Sequence, residues 1–155
     1  MMTLPLSDAI LVVEDDVVSR EMLVEYLQFK GFTVHESSNG ATALTLADAL
    51  RPRVILMDLV LPELDGLETT RHLRANSRTR NATIVAVTGR VFAADRDAAQ
   101  HAGCDYFVAK PYDLAALASL VASVFSASPA RPPTASRLLP KIGSAVALTP
   151  TPPVT

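Results

Sequence analysis

Val54-Ile55-Leu56-Met57-Asp58-Leu59-Val60-Leu61-Pro62-Glu63-Leu64-Asp65-Gly66 begins as an unbroken apolar run and then meets a carboxylate. Residues 54–57 are too few for a helix, and a run without alternation reads as a strand covered on both faces. It stops at Asp58. Pro62 and Asp65-Gly66 mark a loop, and a helix is expected over 67–75. The same order of strand, polar stop and helix recurs on either side. Ala9–Val13 is a β-branched run halted by Glu14-Asp15-Asp16. The helix after it carries Met22, Leu23, Tyr26 and Leu27 on its inner side, and Gly31 closes it. Further strands are expected over 32–35, over 83–87 with its stop at Thr88, and at Tyr106–Ala109 with its stop at Lys110-Pro111. Helices are expected over 41–50, capped by Ser38 or Asn39, over 92–102, ended by Gly103, and over 114–125, capped by Asp113.

Five strand-helix units in succession predict an α/β fold, a doubly wound parallel sheet with helices on both faces and right-handed crossovers. In such a sheet every strand ends on one edge, where ligands bind. The first strand delivers Glu14, Asp15 and Asp16 to that edge, the third Asp58, the fourth Thr88 and the fifth Lys110.

The chain has 155 residues, enough for one domain with a sizeable core, and a net charge of −2 gives no general attraction to nucleic acid or anionic membrane. All the acidic residues lie at or before Asp113, whereas Arg131, Arg137 and Lys141 lie beyond it, so an acidic body precedes a basic tail. Seven of the 11 prolines fall after Ser126, and apolar residues there have no period. The expected organisation is a domain over 1–126 and a Pro-rich, disordered tail or linker over 127–155. A lone cysteine, Cys104, excludes an internal disulfide. The absence of a signal-peptide pattern and of a long apolar run makes a cytoplasmic protein the expectation.

Carboxylates converging from two neighbouring strands repel one another and resist ionising. A hard divalent cation such as Mg²⁺ removes the conflict, because it prefers oxygen ligands. A lysine and a threonine hydroxyl beside it would complete a site for phosphoryl oxygens, and a carboxylate there can act as a nucleophile toward phosphorus.

Four stretches resemble the receiver domain of two-component response regulators: Ile10-Leu11-Val12-Val13-Glu14-Asp15-Asp16, Ile55 through Gly66, Val87-Thr88-Gly89, and Gly103 through Pro111. The resemblance implies a flavodoxin-like (βα)5 sheet in the order 2-1-3-4-5. It implies that Asp58 accepts a phosphoryl group from a sensor histidine kinase or a histidine phosphotransfer protein. Mg²⁺, or Mn²⁺, would be held by Glu14, Asp15, Asp58 and the backbone carbonyl of Val60. Thr88 would close on the phosphoryl group, Lys110 would pair with it, and the Lys110–Pro111 peptide would be cis. Thr88 and Phe107 would form the switch, the ring turning inward to alter the surface of the fourth helix, fifth strand and fifth helix for a downstream protein, or for a homodimer on phosphorylation. Such a module is a phosphoacceptor rather than an enzyme on other substrates, with no contact to nucleic acid or membrane. A stand-alone regulator is the expectation, and an N-terminal fragment of a larger regulator or hybrid kinase is the alternative. Gly89 stands where the family more often has alanine, and Phe107 where it more often has tyrosine.

Other residues read more plainly. Asp16 suits a helix start. Glu63 and Asp65 read as solvated loop residues. Arg71, Arg74, Arg78 and Arg80 read as a solvated basic face, and Cys104 as a buried inert thiol. His35, His72 and His101 share no metal-binding spacing. A nucleotide binder of the same fold needs a Gly-, Ser- or Thr-rich loop after the first strand, and Glu14-Asp15-Asp16 would repel a bare phosphate there.

Overall fold

The computed structural model describes residues 6–127 and 145–147. Strand and helix alternate through β1 (Ala9–Val13), α1 (Val17–Phe29), β2 (Thr33–Ser37), α2 (Gly40–Leu50), β3 (Val54–Asp58), α3 (Gly66–Ala75), β4 (Thr83–Thr88), α4 (Ala93–Ala102), β5 (Tyr106–Ala109) and α5 (Leu114–Ser126). These five strands are parallel and lie in the order β2-β1-β3-β4-β5. The fold is the doubly wound α/β sheet that the strand-helix alternation predicts. Among the described residues, no helix is long and apolar enough to cross a membrane.

Side-chain alternation sorts the core into two layers. Ile10, Val12, Val54, Leu56, Val85, Val87, Tyr106 and Val108 pack with Leu23 and Leu27 of α1 and Leu117 and Val121 of α5. Leu11, Val13, Ile55, Met57, Ile84, Ala86 and Phe107 pack on the opposite face with Ala43 and Ala47 of α2, Leu73 of α3 and Ala99 of α4. Burial on both faces is why these strands read as continuous apolar runs. Each large side chain so buried contributes about 1.5–3 kcal/mol.

Four helices start on carboxylate or amide caps. Asp16, Asn39 and Asp65 accept from the amides of Ser19, Thr42 and Glu68, each at 2.8 Å, and Asp113 accepts from that of Ala115 at 2.9 Å. Asp65 is therefore the cap of α3 rather than only a solvated loop residue. Met22 is 53% exposed while Leu23, Val24 and Leu27 are buried, so the inner stripe of α1 omits a residue expected on it.

Arg74 is no part of a solvated face. Its guanidinium donates to the carbonyls of Gly103 at 2.8 Å, Arg80 at 2.7 Å and Ala82 at 2.6 Å, and pairs with Asp105 Oδ2 at 2.8 Å. The same Asp105 oxygen accepts from the Ile84 amide at 2.9 Å, so one ion pair with a buried carboxylate and a part-buried guanidinium ties α3 to the starts of β4 and β5.

A sixth strand, β6 (Ala145–Ala147), pairs antiparallel with the outer edge of β5, extending the expected five-stranded sheet to six. Three residues are too few to register as a period-two pattern, and an edge strand offers unpaired backbone groups to whatever apolar segment reaches it. The rest of the expected tail lies outside the described residues.

Cys104 is buried, and that burial pushes its thiol up to about 12. Only the thiolate is nucleophilic, so alkylation by iodoacetamide at mildly alkaline pH should run at least ~10³-fold slower in the native protein than in urea. Comparable rates would show that the α3–β5 corner opens freely.

Candidate functional site

Parallel pairing sets Asp58 beside Val87 and Thr88 beside Ala109, so the ends of β3, β4 and β5 stand side by side. Glu14 follows directly on β1, whose Val13 is level with Met57. The shared edge thus assembles residues that are far apart in sequence.

Lys110 Nζ lies at the centre. It donates to Glu14 Oε1 at 2.6 Å and to Asp58 Oδ2 at 3.0 Å. Its peptide bond to Pro111 is cis, and its amide donates to the carbonyl of Thr88 at 2.8 Å. The other Asp58 oxygen, Oδ1, accepts from the Val60 amide at 2.9 Å, which fixes the plane of the carboxylate. Glu14 and Asp58 are each 6% exposed, whereas Asp15 is open to solvent. Oxygens of Glu14, Asp15 and Asp58 all lie within 4.8 Å of one another. That set of hard oxygen donors, with one exposed member, suits a divalent cation approached from water.

The charges are strained unequally. Burial, then the neighbouring Asp58, raises the Glu14 carboxyl above its ordinary range against the pull of Lys110. Burial works against the Lys110 ammonium, but Glu14 and Asp58 together outweigh it and raise its pKa. Glu14 thus carries a cost of burial, to which the neighbouring Asp58 carboxylate adds.

The hydroxyl of Thr88 accepts from the Arg90 amide at 3.1 Å, in a fully buried residue. Phe107 is fully buried on the α4 side of the sheet, with the Arg96 guanidinium 5.4 Å from its ring centroid. The inward turn expected of this ring is already complete here, so it offers no further apolar area to bury. A Cβ added at Gly89 would meet nothing within 4 Å, so this position is open.

Two supports escaped the sequence reading. Arg20 donates through Nη1 to the carbonyl of Glu14 at 2.9 Å and through Nε to Glu36 at 3.0 Å, which holds the turn after β1. No local spacing announces this, because the partners lie on different elements. Gly66 opens α3 against the backbone of Asp58 and Leu59, with its amide donating to the carbonyl of Leu59 at 3.1 Å. A methyl group at Gly66 would collide with that backbone, which cannot rotate away. Gly66→Ala should lose about 1–3 kcal/mol in urea unfolding. A variant as stable as wild type would mean that the loop after Asp58 is looser than this packing.

The model of the response regulator receiver domain matches residues 10–122. The chain belongs to that family. A relative is the polar-differentiation response regulator DivK of Brucella anthropi, 32% identical over 103 residues that cover 66% of this chain and 84% of the relative. Among solved structures, the receiver domain of the sensor histidine kinase PA1611 from Pseudomonas aeruginosa superposes with a TM-score of 0.73 at 32% identity, over 78% of this chain and 99% of that one. That structure has a magnesium ion coordinated in its active-site cleft. The chemotaxis protein CheY4 of Vibrio cholerae superposes with a TM-score of 0.71 at 25% identity, over 75% of this chain and 97% of that one. This receiver is accordingly a two-component signalling domain of the phosphorylation-activated kind.

Proposed function

We propose that Asp58 is the phosphoacceptor of this receiver and that Glu14, Asp15, Asp58 and the Val60 carbonyl hold the Mg²⁺ (or Mn²⁺) that its phosphorylation requires. The observation that carries this reading is Lys110 Nζ bonded at once to Glu14 and Asp58, beside a third carboxylate. When bound, the cation supplies positive charge that offsets the developing charge on phosphoryl oxygens.

The chain's own groups do the rest. The Asp58 carboxylate attacks phosphorus, an O–P bond forms, the P–N bond of the donor phosphohistidine breaks, and the imidazole leaves. Lys110 already sits 3.0 Å from the attacking carboxylate, where its ammonium would meet the incoming phosphoryl oxygens. Thr88 donates its hydroxyl to one of those oxygens on leaving its contact with the Arg90 amide. That movement biases the loop before α4, and with it the surface of α4, β5 and α5 that a downstream protein, or a second copy in a homodimer, reads. With Phe107 already inward, Arg96 of α4, whose guanidinium lies 5.4 Å from the ring centroid, links the switch ring to α4. The only reaction promoted is the domain's own phosphorylation and dephosphorylation.

The donor is a sensor histidine kinase or histidine phosphotransfer protein, and the setting is cytoplasmic. Exposed Val17, Val18, Met22, Val60, Val91 and Phe92 surround the mouth of the site at the starts of α1 and α4 and in the loop after β3. A groove of about 420 Å³ runs from Ser19 and Met22 to Lys110 and Tyr112. Apolar surface gathered around a charged centre suits protein docking.

Beryllofluoride with Mg²⁺, a mimic of the phosphoryl group, tests this reading by amide chemical shifts. Shifts are expected at Asp58, Thr88 and Lys110 and across α4, β5 and α5, with the latter much reduced in Thr88→Ala. Equal shifts in Asp58→Ala and wild type would overturn the assignment.

A further inference from the structure

We propose that the outer edge of β5 is a strand-docking surface, and that this chain closes it in cis with its own residues Ala145–Ala147. The pairing is antiparallel and in register, Tyr106 with Ala147, Phe107 with Val146 and Val108 with Ala145. All the other strand pairs of the sheet are parallel. β5 is the last strand of the parallel series, so without β6 its outer side would present a row of unpaired amides and carbonyls. A short apolar strand satisfies them through main-chain bonds, the mode by which exposed sheet edges take up extended segments.

Closure by a three-residue strand is weak by construction. It makes few backbone bonds, each worth little net against water. It must also offset the entropy of closing the long connection between Ala127 and Ala145 in the sequence. A contact balanced this closely opens often. An extended segment of a partner can then take the place of β6, so the tail competes for the edge between α4 and α5. The inference goes beyond the phosphoacceptor reading and needs none of it, because the edge and its occupant are present in the unphosphorylated chain.

Hydrogen exchange of the full-length, unphosphorylated, metal-free protein is the test, read on a peptide spanning residues 104–110. Val146→Pro removes a backbone donor and blocks strand pairing. It should raise exchange in that peptide by about tenfold or more while a peptide over β3 stays unchanged. A second variant leaves residues 145–147 intact and doubles the connection by a Gly-Ser insertion between Ala135 and Ser136. It should raise the same exchange by roughly threefold, as the closure entropy of a longer loop requires. An acetylated and amidated peptide of residues 143–149, added to the Val146→Pro chain, should restore protection. Unchanged exchange in both variants would overturn the proposal, as would failure of the peptide to protect. Protection that rises with protein concentration would also overturn closure in cis, since the strand would then come from a second copy. Loss of Asp58 phosphorylation would leave these results untouched, so the two readings fail separately.

Discussion

Lys110→Met should slow phosphorylation of the chain by acetyl phosphate roughly 10²–10³-fold, the cost of removing one preorganised charged donor from a reacting oxygen. The reason is geometric. Nζ sits 2.6 Å from Glu14 and 3.0 Å from Asp58, and both carboxylates are almost wholly buried. The substitution leaves those two carboxylates without their shared cation, so the metal-free variant should also lose about 1.5–3 kcal/mol in urea unfolding at neutral pH. The pH dependence has a definite sign. The Lys110 pKa is raised, so its stabilising effect is fully present at neutral pH and is lost only as pH climbs past the ordinary 10.5 and through the folded value. The Glu14 pKa is raised above 4.5, so Glu14 disfavours folding increasingly as pH rises from 4.5 to that raised value, and fully above it. The gap between variant and wild type should therefore narrow as pH falls through that raised value, where the folded Glu14 takes up a proton. A gap that widens on acidification would contradict this account of the charge balance.

Arg74→Ala should be the most destabilising single change away from the site, at about 3–5 kcal/mol, because it strands the carboxylate of Asp105 in the interior. Asp105 is 8% exposed, and Arg74 is its charged partner at 2.8 Å. The loss is a large share of the 5–15 kcal/mol that holds a typical domain together. Three carbonyls would lose a donor at the same time. Arg74→Ala combined with Asp105→Asn should recover part of the loss, since an amide oxygen can still accept from Ile84 and no buried charge remains. A double variant less stable than Arg74→Ala alone would show that the carbonyl contacts, rather than the ion pair, carry the energy.

The contrast between Lys110 and Arg74 shows what was legible in the sequence. Lys110 could be placed because strand ends in a parallel sheet share an edge, so Glu14, Asp58, Thr88 and Lys110 each follow or close an apolar run that marks its own position. Arg74 looked like its neighbours Arg71, Arg78 and Arg80, because nothing local distinguishes a basic residue that faces water from one that reaches across to Gly103 and Asp105. Arg20 was hidden for the same reason, and Gly66 because a turn glycine and a packing glycine have the same letter. Asp65 was read as loop because Pro62 and Gly66 frame it, although its place before the helix also fits a cap. Met22 was misplaced because α1 presents Val17, Val18, Met22, Leu23, Val24 and Leu27 around much of its circumference, which blurs its inner stripe. The direction of the Phe107 ring depends on tertiary packing under Arg96, and β6 depends on an edge that exists only once the sheet has formed.

Mapping the phosphoryl group tests the central claim most directly. The chain is incubated with acetyl phosphate and Mg²⁺, digested under mild acid, and the modified peptide is sequenced by mass spectrometry. The predicted result is a single acyl phosphate on Asp58, absent when EDTA replaces Mg²⁺ and absent in Asp58→Asn. Modification on another residue, or undiminished labelling of Asp58→Asn, would contradict the assignment of this site.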